Sequence, residues 1–365
     1  MSRMTVTTGL VTGGVDTHSQ THHAAVIDQV GRLLGEAQFS ASPAGYRALV
    51  SWLREHGQLG RVGVEGTGAY GAALTRHLRA EGVTVVEVDR PDRHSRRRCG
   101  KSDPLDAYAA ARAALAGTAA GIPKTRDGAV EAIRALRVAR RSAVKARTQI
   151  TNQLKALILT GPADLRERLR HLNTRNLIDT CARLRSTGPL TDPQQATKVA
   201  LRRLARRHQY LTEEILVADA ELKDLVTSTA PQLLTLCGVG IEVAGQLLCT
   251  AGDNPHRLHS EAAFAHLCGV APIPASSGKT HRHRLNRGGD RAANTALYTV
   301  VLSRLRCDLR THHYLQRRTK EGLSKPEIIR CLKRYLAREI YQVLVSLFPS
   351  SSSRPPHRAE RVGQP

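Results

Sequence analysis

The sequence predicts a mixed fold, an α/β domain at the N-terminal end followed by a region built from helices alone. Two observations predict it. Between Val11 and Leu115, apolar runs of strand length alternate with segments whose apolar residues recur at helical spacing; beyond Arg126 only the helical spacing persists. With 365 residues the chain can bury two or three separate cores. The expected segments are 10–122 for the α/β domain, 123–228 for a long helical coiled-coil arm, 229–347 for a mostly helical C-terminal domain and 348–365 for a disordered tail.

Val11 to Asp16, His23 to Asp28 and Arg32 to Ser40 read as three strands of a meander, with Gln29-Val30-Gly31 as a turn. Pro43 to His56 carries Tyr46, Leu49, Trp52 and Leu53 on one helical face, with Ser42 as N-cap and Gly57 as the stop. Arg61 to Glu65 is a short buried strand, Ala72 to Ala80 a helix and Val83 to Val88 a further strand. Three strands, a helix, a strand, a helix and a strand is the order expected of a ribonuclease H-like domain.

From Arg126 to Leu159 the pattern is one long helix, closed by Gly161-Pro162. A second spans about Thr197 to Val226, where Leu201, Leu204, Leu211, Ile215, Ala218, Leu222 and Leu225 form an apolar seam interrupted at His208. The two helices are expected to pair antiparallel. Arg134, Arg137, Arg141 and Lys145 share a face of the first, which suggests a basic stripe for nucleic acid. The last helical segment is strongly basic through Arg317, Arg318, Lys320, Lys325, Arg330, Lys333, Arg334 and Arg338. Pro349 to Pro365 is too poor in apolar residues to fold.

A formal charge of +24 calls for a polyanionic partner. The surplus is mostly Arg, whose forked donors suit phosphate, so nucleic acid is favoured over an acidic small substrate. A GC-rich genome exchanges Lys for Arg but does not create net charge. Seven Cys without a CxxC pair give neither a disulfide framework nor a zinc site, and read as small buried residues in a reducing cytoplasm. No stretch reads as a signal peptide or membrane span, so a cytoplasmic, nucleoid-associated protein is expected.

Four carboxylates stand out. Asp16 ends the run Gly14-Val15-Asp16, and Glu65 ends Val62-Gly63-Val64-Glu65 just before Gly66-Thr67-Gly68. Asp103 and Asp106, in Lys101-Ser102-Asp103-Pro104-Leu105-Asp106-Ala107, stand three apart at a helix start and so share a side. Each has an ordinary explanation: an Asp before Pro is a good N-cap, and strand-end acids are common turn residues. Their conjunction is what matters, because in a ribonuclease H-like sheet these positions converge at one edge. Such a cluster repels itself unless divalent cations neutralise it, which implies Mg²⁺ or Mn²⁺. Two such ions can activate an attacking oxygen and stabilise a leaving oxygen of a phosphodiester.

These residues give a chain that resembles transposases of the insertion-sequence 110 family, also called DEDD transposases, from Gly14 to about Leu344. The N-terminal motifs match the family's RuvC-like D, E, D, D quartet. The C-terminal match runs through Leu236-Cys237-Gly238-Val239-Gly240, Gly269-Val270-Ala271-Pro272, Ser276-Ser277-Gly278, Asn286-Arg287-Gly288-Gly289-Asp290-Arg291 and Ala293-Asn294. One departure is Ser19, where many members carry Lys. The resemblance implies a catalytic serine at Ser277, with Ser276 the alternative, that forms a covalent phosphoserine with DNA. It also implies a homo-oligomer, dimer or tetramer, in which quartet and serine come from different subunits, and a structured bridge RNA that pairs with target and donor DNA.

The residues themselves suit that chemistry. A Ser-Ser-Gly loop flanked by Lys279, Arg282, Arg284, Arg287 and Arg291 can stabilise charge building on phosphate, although a serine there is ordinarily a turn residue. Gly238 and Gly240 suit a helix-hairpin-helix whose turn offers backbone N–H groups to a DNA phosphate; the plainer reading is a helix stop followed by a new helix. Two rival functions remain: a metal-dependent RuvC-like nuclease or Holliday-junction resolvase, and a non-catalytic nucleic-acid-binding protein.

Overall fold

The computed structural model describes residues 9–88, 102–279 and 283–348. The described residues divide into two compact units, one drawn from the ranges 1–128, 251–264 and 344–365 and the other from 129–250 and 265–343. The segments expected at 123–228 and 229–347 thus fall largely within one unit. The expected disordered tail, from Pro349 onward, lies outside the described residues.

The first unit is a mixed α/β fold. Strands β1 (Leu10–Thr17), β2 (Thr21–Ile27) and β3 (Leu33–Ser40) precede helix α1 (Pro43–Glu55), then β4 (Gln58–Glu65), α2 (Ala72–Ala80), β5 (Thr84–Val88) and α3 (Asp103–Leu115). The sheet order is β3-β2-β1-β4-β5. The meander β1–β2–β3 is antiparallel, whereas β4 and β5 run parallel to β1. The Ser42 hydroxyl accepts from the Gly45 amide, giving α1 its expected N-cap.

Alternation along the central strands decides what each face carries. Val15, Val62 and Val64 meet Leu49, Leu53, Leu74 and Leu78 of α1 and α2. Each of these fully buried leucines stabilises the unit by about 2 kcal/mol relative to exposure. The opposite face of β1 and β4 carries Gly14 and Gly63, and α3 lies directly on them. A Cβ on Gly14 would overlap backbone of Ala107 and Ala111, and one on Gly63 would stand 2.5 Å from the Ala110 carbonyl. On the helix side Ala107, Ala110, Ala111 and Ala114 are buried. Small residues on both partners therefore bring backbone against backbone.

The second unit is helical. It contains α4 (Ala129–Leu159), α5 (Ala163–Leu169), α6 (Thr174–Ala182), α7 (Pro193–Thr229), the short α8 (Pro231–Leu234) and α9 (Ile241–Ala251). After α10 (Glu261–Leu267) come the two-residue strands β6 (Ile273–Pro274) and β7 (His283–Arg284), then α11 (Arg291–Cys307), α12 (Leu309–Lys320) and α13 (Lys325–Leu347). α4 and α7 pair antiparallel, since Arg140 meets Asp219 while the later Arg147 lies by the earlier His208. At one end Ile150, Leu154 and Ile158 bury against Leu201 and Ala205, with α5 and α6 completing the cluster.

Three expectations need correction. α4 begins at Ala129 rather than Arg126, because Arg126 has a positive φ of 55° and its guanidinium donates to the Gly68 carbonyl at 2.9 Å. α7 extends to Pro193–Thr229, capped by the Asp192 side chain on the Gln194 amide. The cysteines are not uniformly buried: Cys237 and Cys307 are exposed, with sulfurs 3.4 Å apart, since one lies in a surface turn and the other ends α11.

His208 interrupts the α4–α7 seam as the sequence indicates. Burial, reinforced by the Arg147 charge, holds its pKa below the ordinary 6.5. The unfolded chain therefore binds the proton first, and stability present above pH 6.5 is lost as pH falls through that value. Thermal melting followed by helical circular dichroism should show this decline, and His208→Leu should flatten it.

Candidate metal centre and nucleic-acid interface

β1 and β4 pair in parallel up to Val15 and Val64, so Asp16 and Glu65 leave adjacent strands at one level. Each follows its glycine by two residues and lies on the face covered by α3. The Thr17 hydroxyl donates to the Glu65 carbonyl at 2.8 Å and ties the two strand ends together. Gly66, with φ 71°, then turns the chain directly after β4.

α3 starts at the same edge. Its N-cap position is Ser102 rather than Asp103, so the Asp103 carboxylate is not spent on capping. Instead Asp103 Oδ1 lies 3.3 Å from His18 Nε2, which is also 3.2 Å from Asp16 Oδ2. Asp16 and Asp106 are buried, whereas Asp103 is half exposed. Ligand atoms of Asp16, His18 and Asp103 all lie within 4.8 Å of one another, an arrangement able to hold a metal ion. Glu65 and Asp106 are not part of that closest group. His18 was not anticipated; the signal was an imidazole two residues beyond a strand-end acid.

The serine loop belongs to the second unit. Ile273 pairs with Arg284 and Pro274 with His283, so Ser277 and Gly278 lie in the connection between two short strands, both exposed. Gly278 has φ 54°, a backbone conformation that favours glycine. The base of the loop is pinned. Asn294 Nδ2 donates to the Cys268 and Gly269 carbonyls at 3.1 and 2.9 Å, and Lys333 Nζ donates to Asn294 Oδ1 at 2.8 Å. Asp290 caps α11 through the amides of Ala292 and Ala293 and accepts from the Thr250 hydroxyl at 2.7 Å. Burial lowers the pKa of Lys333, whose amine serves this internal contact rather than the basic surface expected of it.

Lys279, Arg284, Arg287 and Arg291 are exposed along or beside the loop, while Arg282 lies outside the described residues. On α4, Arg141 and Lys145 are exposed, but the predicted stripe breaks at its other two members. Arg134 is forked onto Glu131 at 2.6 to 2.9 Å. Arg137 is buried, donating to the Glu242 carbonyl and Gln246 and ion-paired to Glu242 at 3.0 Å. The reason is register: positions 130, 133 and 137 form the buried face of α4. Gly245 leaves room for the guanidinium, which a Cβ there would meet at 3.0 Å. Gly238, at φ 82°, makes the turn between α8 and α9, and a Cβ would press on Ser303 and Val300; Gly240 faces open space.

Comparison with known proteins defines the class first. A family model described as a transposase, of the DEDD and IS110 type, matches residues 13–161. A second, described as a transposase of the IS116/IS110/IS902 family, matches residues 230–316. A mini-circle transposase candidate for IS117 of Streptomyces coelicolor is 27% identical over 323 residues, 73% of this chain and 78% of that protein. A 43.6 kDa protein of insertion element IS110 from the same organism is 28% identical over 116 residues, 32% of this chain and 28% of its own length. A 42 kDa protein of insertion element IS900 from Mycobacterium paratuberculosis is 26% identical over 144 residues, 39% of this chain and 36% of its own. The chain belongs to the IS110 family of transposases, enzymes of DNA transposition and recombination. Among the described residues no helix is long and apolar enough to cross a membrane.

Proposed function

We propose that this chain cleaves and rejoins the DNA of an insertion sequence through a covalent phosphoserine at Ser277, with a divalent cation held by Asp16, Glu65, Asp103 and Asp106. The observation that carries the reading is the edge where β1, β4 and the start of α3 bring these carboxylates, two of them buried, to one side of the sheet. The strand order β3-β2-β1-β4-β5, antiparallel then parallel, supports a ribonuclease H-like, RuvC-like fold. The residues fit a hard cation: carboxylate oxygens dominate the donor set, and their mutual repulsion calls for a counter-charge. When bound, Mg²⁺ or Mn²⁺ supplies that charge and Lewis acidity toward phosphate oxygens.

The chain's own residues define the transfer. As Ser277 Oγ bonds to phosphorus its proton is lost, and the displaced DNA oxygen leaves as a hydroxyl after gaining a proton. The phosphodiester is exchanged for a phosphoserine ester, so reversal by another DNA hydroxyl rejoins the strand. Lys279, Arg282, Arg284, Arg287 and Arg291 offset charge that grows on the phosphoryl oxygens. Gly238 and Gly240, with exposed Arg141 and Lys145, bind the backbone of DNA or of a structured bridge RNA. The active form is a homo-oligomer, and the compartment is the cytoplasm, at the nucleoid.

The test is trapping of a DNA–protein adduct on substrate carrying the element's ends, with RNA transcribed from its non-coding segment. Ser277→Ala should abolish the adduct while Ser276→Ala retains it. Continued cutting by Ser277→Ala without any adduct in the wild type would instead indicate a RuvC-like nuclease or resolvase. A wild type that binds but never cuts would indicate a non-catalytic binder.

A further inference from the structure

The carboxylate edge carries more nitrogen than a purely acidic centre would. His18 Nε2 stands between two carboxylates from different elements, 3.2 Å from Asp16 Oδ2 at the end of β1 and 3.3 Å from Asp103 Oδ1 at the start of α3. An ordinary ion pair requires only one such contact. Bond lengths of about 2.1 Å place neighbouring ligands of an octahedral ion about 3.0 Å apart, close to these spacings. A second observation comes from β2. His23 is the cross-strand partner of Asp16 and so stands on the same face, and its Nε2 is shielded from solvent with no hydrogen-bond partner among the described residues.

Imidazole discriminates between cations. Mg²⁺ favours oxygen ligands and retains water, whereas transition ions accept nitrogen more readily, and Mn²⁺ accepts both. We propose that His18 is a metal ligand through Nε2, so that Asp16, His18 and Asp103 form a mixed centre that binds Mn²⁺ in preference to Mg²⁺. The proposal rests on the reading above that this edge holds a divalent cation. It gives His18 a direct role beside the quartet and leaves His23 as a neighbour rather than a ligand, since its nitrogen is outside the group of three closest ligand atoms.

The test uses the full chain, freed of metal by chelation and titrated with Mn²⁺. Loss of the free-ion electron paramagnetic resonance signal gives affinity, and pulsed measurements report ¹⁴N bonded to the bound ion. The wild type should show directly coordinated ¹⁴N. His18→Ala should lose it and bind Mn²⁺ roughly tenfold more weakly or worse. Its affinity for Mg²⁺, read by displacement of Mn²⁺, should change much less. His18→Gln keeps a hydrogen-bond donor and should behave like His18→Ala, while His23→Ala should keep the ¹⁴N signal. Circular dichroism confirms that each variant folds. The proposal is overturned if ¹⁴N coupling survives in His18→Ala, disappears in His23→Ala, or is absent from Mn²⁺ bound to the wild type. Absence of Mn²⁺ binding, or binding unchanged by Asp16→Asn, overturns the metal reading and this proposal together. Binding that Asp16→Asn removes but that carries no ¹⁴N overturns the ligand role of His18 alone.

Discussion

Replacing Gly14 with valine should unseat α3 from the sheet and destabilise the first unit by about 3 kcal/mol or more. The added atoms would fall on the backbone of Ala107 and Ala111, where no rotamer change can relieve them. The helix must shift as a body, and Gly63 beneath Ala110 leaves it no alternative seat. Urea unfolding should reveal the loss, and even Gly14→Ala should move in the same direction. Gly240→Ala is the informative comparison, because a Cβ there meets nothing within 4 Å. It should leave stability nearly unchanged. A melting midpoint for Gly14→Val equal to that of the parent would refute the close packing of α3 on β1.

The second large effect is catalytic. Asp106→Asn preserves shape at a position only 5% exposed but removes a charge next to Ala107, the residue that anchors α3 on Gly14. On the proposed mechanism strand cleavage should fall by about three orders of magnitude, roughly 4 kcal/mol in the barrier. Melting should move little, and DNA binding, governed by the basic surface, should be retained. Cleavage within a few-fold of the parent would remove Asp106 from the proposed quartet. Loss of folding would show instead that the carboxylate is chiefly a structural group.

Much of the first unit was legible because its periodicities are local. The alternation in Val11–Asp16 and the helical spacing through Tyr46, Leu49 and Leu53 mark elements whose partners need not be known. β4 is longer than expected because Gln58 and Leu59 pair with Leu10 and Val11, a long-range contact that residues Gln58-Leu59-Gly60 do not advertise. The start of α4 is obscured for a similar reason, since Arg126, in a left-handed conformation, donates to the carbonyl of Gly68, far away in sequence. Arg137 shows the limit of charge patterning most clearly. Helical spacing places it with Arg134 and Arg141, yet it also places it with Val130 and Ile133, and only the presence of α9 decides which face is buried. The carboxylate positions were readable one by one. That His18 would stand between two of them depends on where α3 begins relative to β1.

The clasp between Arg137 and the residues Glu242 and Gln246 makes the root of α4 and the helix after the Gly238–Gly240 turn a single mechanical piece. A helix rises about 1.5 Å per residue, so the stretch from Arg137 to Leu159 reaches about 33 Å beyond that pivot. A rotation of about 10° at the clasp sweeps the far tip through roughly 6 Å. A small change of angle at one buried guanidinium is thus displayed many times larger at the far end of the helix.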